Sequence, residues 1–245
     1  IARKINVFKT MRPKSDMIHL DFGDSKNILK NTVADTLDQS IDKMSTQGDP
    51  QQTETSELGK SIISRILKVD YESRGVRLAP EEIFLSNNAM SIESEICDVV
   101  SNDNVLALLD PSYPAYIYSA VMAGRAGVRN GDGRWSNLVY IPCDWSNNFL
   151  PEIPKEHADV IYLNLPHNPT GTTLTTDQLK KWVKYAVANQ SLIIYDASHA
   201  HYITEEKVPH SIYEIKGAKK VAIEVRSFSK TTGFTGTNFA FLVIP

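Results

Sequence analysis

Short, almost wholly apolar runs alternate along this chain with longer stretches in which apolar residues recur every third or fourth position. The runs predict strands at Glu82–Ser86, Asn104–Asp110, Leu138–Ile141, Asp159–Leu163, Ser191–Tyr195, Val221–Val225 and Phe239–Ile244. Several are apolar on both faces, as strands are when helices cover both sides of a parallel sheet. The clearest helical pattern is Thr176–Ala186, with Leu179, Trp182, Val183 and Ala186 on one stripe and Thr176 read as its N-cap. Further helices are expected over Ser56–Arg74, Ile92–Val100 and Ser211–Ile215. Strand and helix alternating in this way predict an α/β fold with a doubly wound, mostly parallel sheet.

Residues 1–49 differ. They are polar, hold one short apolar stretch at Met17–Phe22, and run into Gln47–Gln52, which reads as a linker. We therefore expect an N-terminal arm at 1–49 and one large domain at 50–245. The first residue is Ile and the last predicted strand runs into Pro245, endings expected of a piece of something longer or of a processed chain. Hydrophobic residues at 42% and charged residues at 22% suit a globular domain and exclude a disordered tail or a disulfide-stapled miniprotein. A net charge of -3 provides no basic field for nucleic acid or anionic lipid, so neither is expected as a partner. The apolar runs fall short of the roughly 18 to 20 residues that cross a bilayer. Ile1–Ile5 carries charge with no apolar core after it, so no signal peptide is expected. Two cysteines, Cys97 and Cys143, make no framework, and a reducing compartment, cytoplasm or organelle matrix, is the simpler expectation.

In open α/β sheets, ligands sit beyond the carboxyl ends of the strands. Five consecutive predicted strand ends carry polar groups there: Ser86–Asn88, Asp110–Tyr113, Asn164–Asn168, Asp196–His199 and Ser227–Lys230. Burial disfavours an ammonium, so a partly desolvated Lys230 would supply a nucleophilic amine; a solvated surface lysine is the commoner fate of that residue type. Asp196 would hold a protonated ring nitrogen or, equally on this reading, cap a helix.

The motifs Pro166-His-Asn-Pro-Thr-Gly171, Asp196-Ala197 and Arg226-Ser-Phe-Ser-Lys-Thr-Thr-Gly-Phe-Thr-Gly236 occur in that order. Together they resemble the fold-type I pyridoxal-phosphate aminotransferases. Asp110-Pro-Ser-Tyr-Pro-Ala-Tyr116, Val121–Gly124, Leu179–Val183 and Pro209–Ile215 are similar, more narrowly, to LL-diaminopimelate aminotransferases of lysine biosynthesis. The resemblance covers nearly the whole chain. It implies a seven-stranded sheet and pyridoxal 5'-phosphate as cofactor. An amino acid and a 2-oxo acid would be the substrates, and a homodimer the assembly. It also implies that Lys230 forms the Schiff base and carries the proton, and that Asp196 pairs with the pyridinium nitrogen. Asn168 and, in place of the family's tyrosine, His199 would serve the phenolic oxygen; Tyr113 would stack on the ring. Ser227 and the backbone N–H groups around Ala89 and Met90 would hold the phosphate.

The same resemblance marks departures. Asn238 stands where the family has a phosphate-gripping arginine, a charge-assisted bond worth roughly 1.5–3 kcal/mol, or ten- to a hundredfold in affinity. Asn88-Ala-Met90 replaces a glycine-alanine-lysine turn, and the surroundings of Gly48–Pro50 replace a tyrosine-glycine loop reaching from the partner subunit. The C-terminal segment that completes the family's small domain and carries the substrate-carboxylate arginine is absent. A second reading follows: a catalytically degenerate aminotransferase fold serving as a structural or interaction module. Cofactor retention separates the two. His199, His201 and Asp196 could begin a metal site but lack further ligands, and no metal is expected. Gly124–Gly127 and Gly131–Gly133 lack dinucleotide-binding spacing.

Overall fold

The computed structural model of the chain describes residues 2–18, 31–46, 57–233, 236 and 238–245. All seven predicted apolar runs form strands: β1 (Ile83–Ser86), β2 (Leu106–Asp110), β3 (Leu138–Pro142), β4 (Val160–Asn164), β5 (Leu192–Asp196), β6 (Ala222–Ser227) and β7 (Ala240–Val243). They make one sheet in the order β1-β7-β6-β5-β4-β2-β3. The pairings from β6 across to β3 are parallel, whereas β7 runs antiparallel to both β6 and β1. The expected mostly parallel α/β sheet is therefore present.

Apolar residues on both strand faces are used on both. In β2, Leu106 and Leu108 pack into a core with Ile92, Tyr116, Ile194 and Val225, while Ala107 and Leu109 enter the opposite core with Leu179, Trp182 and Ile193. Helices cover the two faces: α3 (Glu57–Ile66) and α6 (Thr176–Asn189) belong with the second core, α4 (Ala89–Val99) and α5 (Pro114–Met122) with the first. The short α7 (Phe228–Thr231) follows β6 directly.

Several helix boundaries differ from the sequence reading, each for a local reason. The N-cap of α6 is Thr175, not Thr176. Gln178 at N3 closes a capping box, its Oε1 accepting from Thr175 N at 2.8 Å, while the Thr176 hydroxyl donates to Lys207 O. α4 starts three residues before the expected Ile92 because Asn88 Oδ1 accepts from Ser91 N at 2.8 Å. α5 was not expected; Pro114 at its first turn supplies a φ already suited to a helix. The stretch expected to be helical to Arg74 is α-helical only to Ile66, then widens over Leu67–Tyr71, tightens over Glu72–Arg74 and ends at left-handed Gly75. Ser211–Ile215 gives a single 3₁₀ turn, Ile212–Glu214. Within the polar arm, α1 (Ala2–Met11) and α2 (Asn31–Thr46) are helical. In α2, Val33, Leu37 and Ile41 recur every fourth residue, too sparsely to stand out by eye. The Gln47–Gln52 linker and Gly48–Pro50 lie outside the described residues. Among those residues no helix is long and apolar enough to cross a membrane, and both cysteines are buried as free thiols.

One polar cluster is locked into the core on the α6 side. Glu224 of β6 is fully buried. Its Oε1 accepts from Tyr71 Oη and Arg226 Nε, each at 2.8 Å; its Oε2 accepts from Ser211 Oγ at 2.7 Å and Ile212 N at 2.9 Å. Arg226 also donates to His210 O at 2.8 Å and lies over the Tyr71 ring.

Candidate active site

The carboxyl ends of β4, β5 and β6 set the site. Asn164 and Asp196 are the last residues of β4 and β5 and are register partners. Asp196, on the strand face that carries Ile194, is buried toward α4 and α5. Three donors hold it. Asn164 Nδ2 donates to Oδ2 at 2.8 Å, the Tyr116 hydroxyl of α5 donates to the same oxygen, and Ser198 N donates to Oδ1 at 2.8 Å. Asn164 faces both ways, its Oδ1 accepting from Asn168 N at 2.7 Å. One side chain thus fixes Asp196 and the Asn168 loop together. A carboxylate offers about four lone-pair positions, so three donors leave Asp196 with acceptor capacity.

All eight residues expected to form the site, Lys230, Asp196, Asn168, Tyr113, Ser227, Ala89, Met90 and His199, line one cleft of about 760 Å3. Asn88 and Asn238 line it too. Tyr113 rests edge-on against Tyr116 at 5.7 Å between ring centroids, and Tyr116 stacks on Tyr162 at 5.0 Å, so an aromatic shelf backs the cleft. Ser227 caps α7, its hydroxyl accepting from Ser229 N at 3.2 Å, which fixes the turn that carries Lys230. Phe228 N donates to Phe239 O at 2.9 Å and their rings stack, tying that turn to the entry of β7. Asn88 caps only one of the first-turn N–H groups of α4, so those of Ala89 and Met90 remain as donors at the cleft.

The electrostatics are uneven. Burial, and after it the Asp196 charge, pushes Tyr116 well above the usual phenol range, so it acts as a donor. Burial lowers His199; Asp196 opposes that and Lys230 adds to it. Glu93 of α4 is buried, lines the cleft, and is pushed up to about 9, first by burial and then by Asp196. Among the described residues, five buried side-chain polar atoms lack a hydrogen-bond partner, and three of them, Glu93 Oε2, Ser198 Oγ and His199 Nδ1, belong to residues lining this cleft. Such groups are rare in folded proteins because each costs desolvation, and their concentration here marks a place prepared for a polar ligand. No group of three or more His, Cys, Asp or Glu among the described residues could hold a metal ion, so His199, His201 and Asp196 do not come together as ligands.

The sequence reading missed Tyr116, Asn164, Ser198 and Glu93. Asn164 had a signal, being the strand-end polar residue in register with Asp196. Glu93 had another: it sits on the apolar stripe of α4 between Ile92 and Ile96 and one turn before Cys97, a position that rarely tolerates an acid.

Residues 15–245 match the family of class I and II aminotransferases. The chain belongs to that family. It is 47% identical over 245 residues to an LL-diaminopimelate aminotransferase of Phocaeicola vulgatus, covering all of this chain and 60% of that protein. It is 42% identical to one from Prochlorococcus marinus, with the same coverage. Among solved structures, the L,L-diaminopimelate aminotransferase of Chlamydomonas reinhardtii superposes with a TM-score of 0.88 at 33% identity, covering 100% of this chain and 60% of that one. The chain thus spans about 60% of the length of the relatives it matches.

Proposed function

We propose that this chain is the cofactor-binding part of a pyridoxal-phosphate-dependent aminotransferase of the LL-diaminopimelate type, exchanging an amino group between an amino acid and a 2-oxo acid. The observation that carries the reading is the buried Asp196 carboxylate, held by three donors with acceptor capacity to spare, at the bottom of the cleft that Lys230 also lines. The orphaned Ser198 Oγ and His199 Nδ1 fit a ligand that is polar around its edge, and Tyr113 fits a flat one. When bound, pyridoxal phosphate supplies an electron sink for charge developing at the substrate's Cα.

The chain's own residues then have distinct tasks. Lys230 provides the amine that fastens the cofactor and moves the proton at the substrate's Cα. Asp196 Oδ accepts the ring N–H and keeps that nitrogen charged, while Asn164 and Tyr116 keep Asp196 oriented. Asn168 and His199 serve the phenolic oxygen, and Tyr113 covers one ring face and excludes water. Ser227 and the N–H groups of Ala89 and Met90 hold the phosphate at the start of α4. Arg226 does not stand in for the arginine that Asn238 replaces, since its guanidinium is committed to Glu224 and His210 O behind the sheet. The phosphate grip then rests on backbone and hydroxyl donors, with affinity about ten- to a hundredfold weaker than with the cation.

The same reading has residues 1–49 as an arm of a small domain and 50–245 as the large domain, in a homodimer within a reducing compartment. The test is an absorption spectrum of the protein with pyridoxal phosphate beside a Lys230→Ala control. A band near the visible edge that needs Lys230, and that shifts on adding LL-diaminopimelate or glutamate, is the expected result. Absence of any Lys230-dependent band at saturating cofactor removes the enzyme reading and leaves a non-catalytic scaffold.

A further inference from the structure

The established parts of the site give no task to Glu93. It is 2% exposed, sits one turn into α4 and lines the cleft. Its Oε2 has no hydrogen-bond partner, and its carboxyl lies within hydrogen-bonding reach of Asp196. Two carboxylates cannot donate to one another, and two adjacent buried anions are strongly disfavoured. A single proton between them satisfies both the reach to Asp196 and the cost of burial. The groups around Glu93 supply no alternative. From α5 comes Tyr116, already donating to Asp196; from β4 comes Tyr162, whose hydroxyl is 3.6 Å from Cys97 Sγ of α4 itself. His199 and Lys230 line the same cleft, yet Asp196 is the charge that bears on Glu93. Strands β1 and β7, which α4 also contacts, carry no titratable residue, and the Glu224 and Arg226 side chains of β6 are engaged on the opposite face.

We propose that Glu93 is a positioning residue for the ring-nitrogen end of the site: as a neutral acid it shares one proton with Asp196, and it yields that proton when a pyridine nitrogen takes the open acceptor position of Asp196. This rests on the function proposed above. The balance is simple. An O–H bond at Glu93 breaks, an N–H bond forms at the ring nitrogen, and Asp196 accepts that N–H. The pair carries one net negative charge before; two carboxylates and one ring cation carry the same net charge after. No proton is drawn from bulk water for the ring to become charged. Glu93 thereby also keeps the cofactor-free site from presenting two anions.

Two measurements decide it. In cofactor-free protein at neutral pH, infrared spectroscopy should show the carbonyl band of a buried protonated acid, lost in Glu93→Gln. In Asp196→Asn the band should remain but titrate away at lower pH than in the parent, which keeps the assignment testable should Glu93→Gln fail to fold. With pyridoxal phosphate as ligand, binding to the parent should take up about one proton fewer than binding to Glu93→Gln. The ratio of the variant's Kd to the parent's should therefore rise by up to about tenfold per pH unit between roughly pH 6 and 8. A band that is absent from the parent, or that survives in Glu93→Gln, overturns the shared proton. A band with a flat Kd ratio overturns the positioning role. If neither protein binds pyridoxal phosphate, the proposed function and the positioning role fall together, while the infrared result still decides the shared proton.

Discussion

Two buried carboxylates on opposite faces of the same sheet are treated in opposite ways. Glu224, on the α6 side, receives four donors, so every lone-pair position is filled and a guanidinium balances its charge. Asp196, on the α4 side, receives three donors from protein groups, none of them cationic, and faces a second carboxyl at Glu93. The first arrangement is closed and can only hold the structure together. The second is left short of one strong partner and lies at a cleft whose walls hold further unsatisfied polar atoms. Burial of an acid therefore does not by itself mark a site; what marks it is the deficit of partners around the acid.

Substitutions at the two carboxylates should dissociate stability from ligand binding. Glu224→Gln should have the largest effect, about 3–5 kcal/mol of lost stability, because Arg226 is left as a buried cation without its counter-ion. Denaturant unfolding measures this, and a loss below about 1 kcal/mol would mean that the cluster is not closed. Asp196→Asn should do the reverse. It should weaken pyridoxal-phosphate binding by about a hundredfold, the worth of a charge-assisted hydrogen bond, and change stability by less than about 1 kcal/mol. Equilibrium titration and unfolding of the same preparation give both numbers.

Glu93 adds a pH signature. Its proton is held in the folded protein up to about pH 9, against 4.5 as its ordinary value. Its favourable contribution is full below the unfolded value and is lost as pH rises toward the folded one. The slope in that window is at most about 1.4 kcal/mol per pH unit. Unfolding of Glu93→Gln should accordingly depend less on pH than that of the parent between roughly pH 5 and 9, and parallel curves would place the proton elsewhere. The smallest effect is expected for Ser211→Ala, which leaves Glu224 Oε2 with one donor. About 1–2 kcal/mol of stability should go, with pyridoxal-phosphate affinity unchanged.

The sheet was legible because burial on both faces writes itself into sequence as uninterrupted apolar runs, Leu106–Leu109 and Ile161–Leu163 among them. Polar residues just beyond those runs led to the cleft for the same topological reason. Helices were legible only where one apolar stripe was dense, as in α6. α5 hid because Tyr116, Ile117, Tyr118 and Val121 leave almost no polar face to define a period. What holds Asp196 was the least legible. Tyr116, Asn164 and Glu93 reach it across long sequence separations, and only the register of β4 on β5 and the packing of α4 and α5 on the sheet bring them together. Asn238 and Met90 stood out as departures from the family's motifs, yet the commitment of Arg226 to Glu224 became visible only in three dimensions.

The most direct measurement is the thermal unfolding of the parent, Asp196→Asn and Ser211→Ala, each with and without saturating pyridoxal phosphate. A ligand at about a hundred times its Kd stabilises the folded state by about 2.7 kcal/mol. The parent and Ser211→Ala should both rise in Tm by the corresponding few degrees, and Asp196→Asn should lose most of that rise. No rise in the parent, or an equal rise in Asp196→Asn, would contradict the assignment of the Asp196 cleft as the cofactor site.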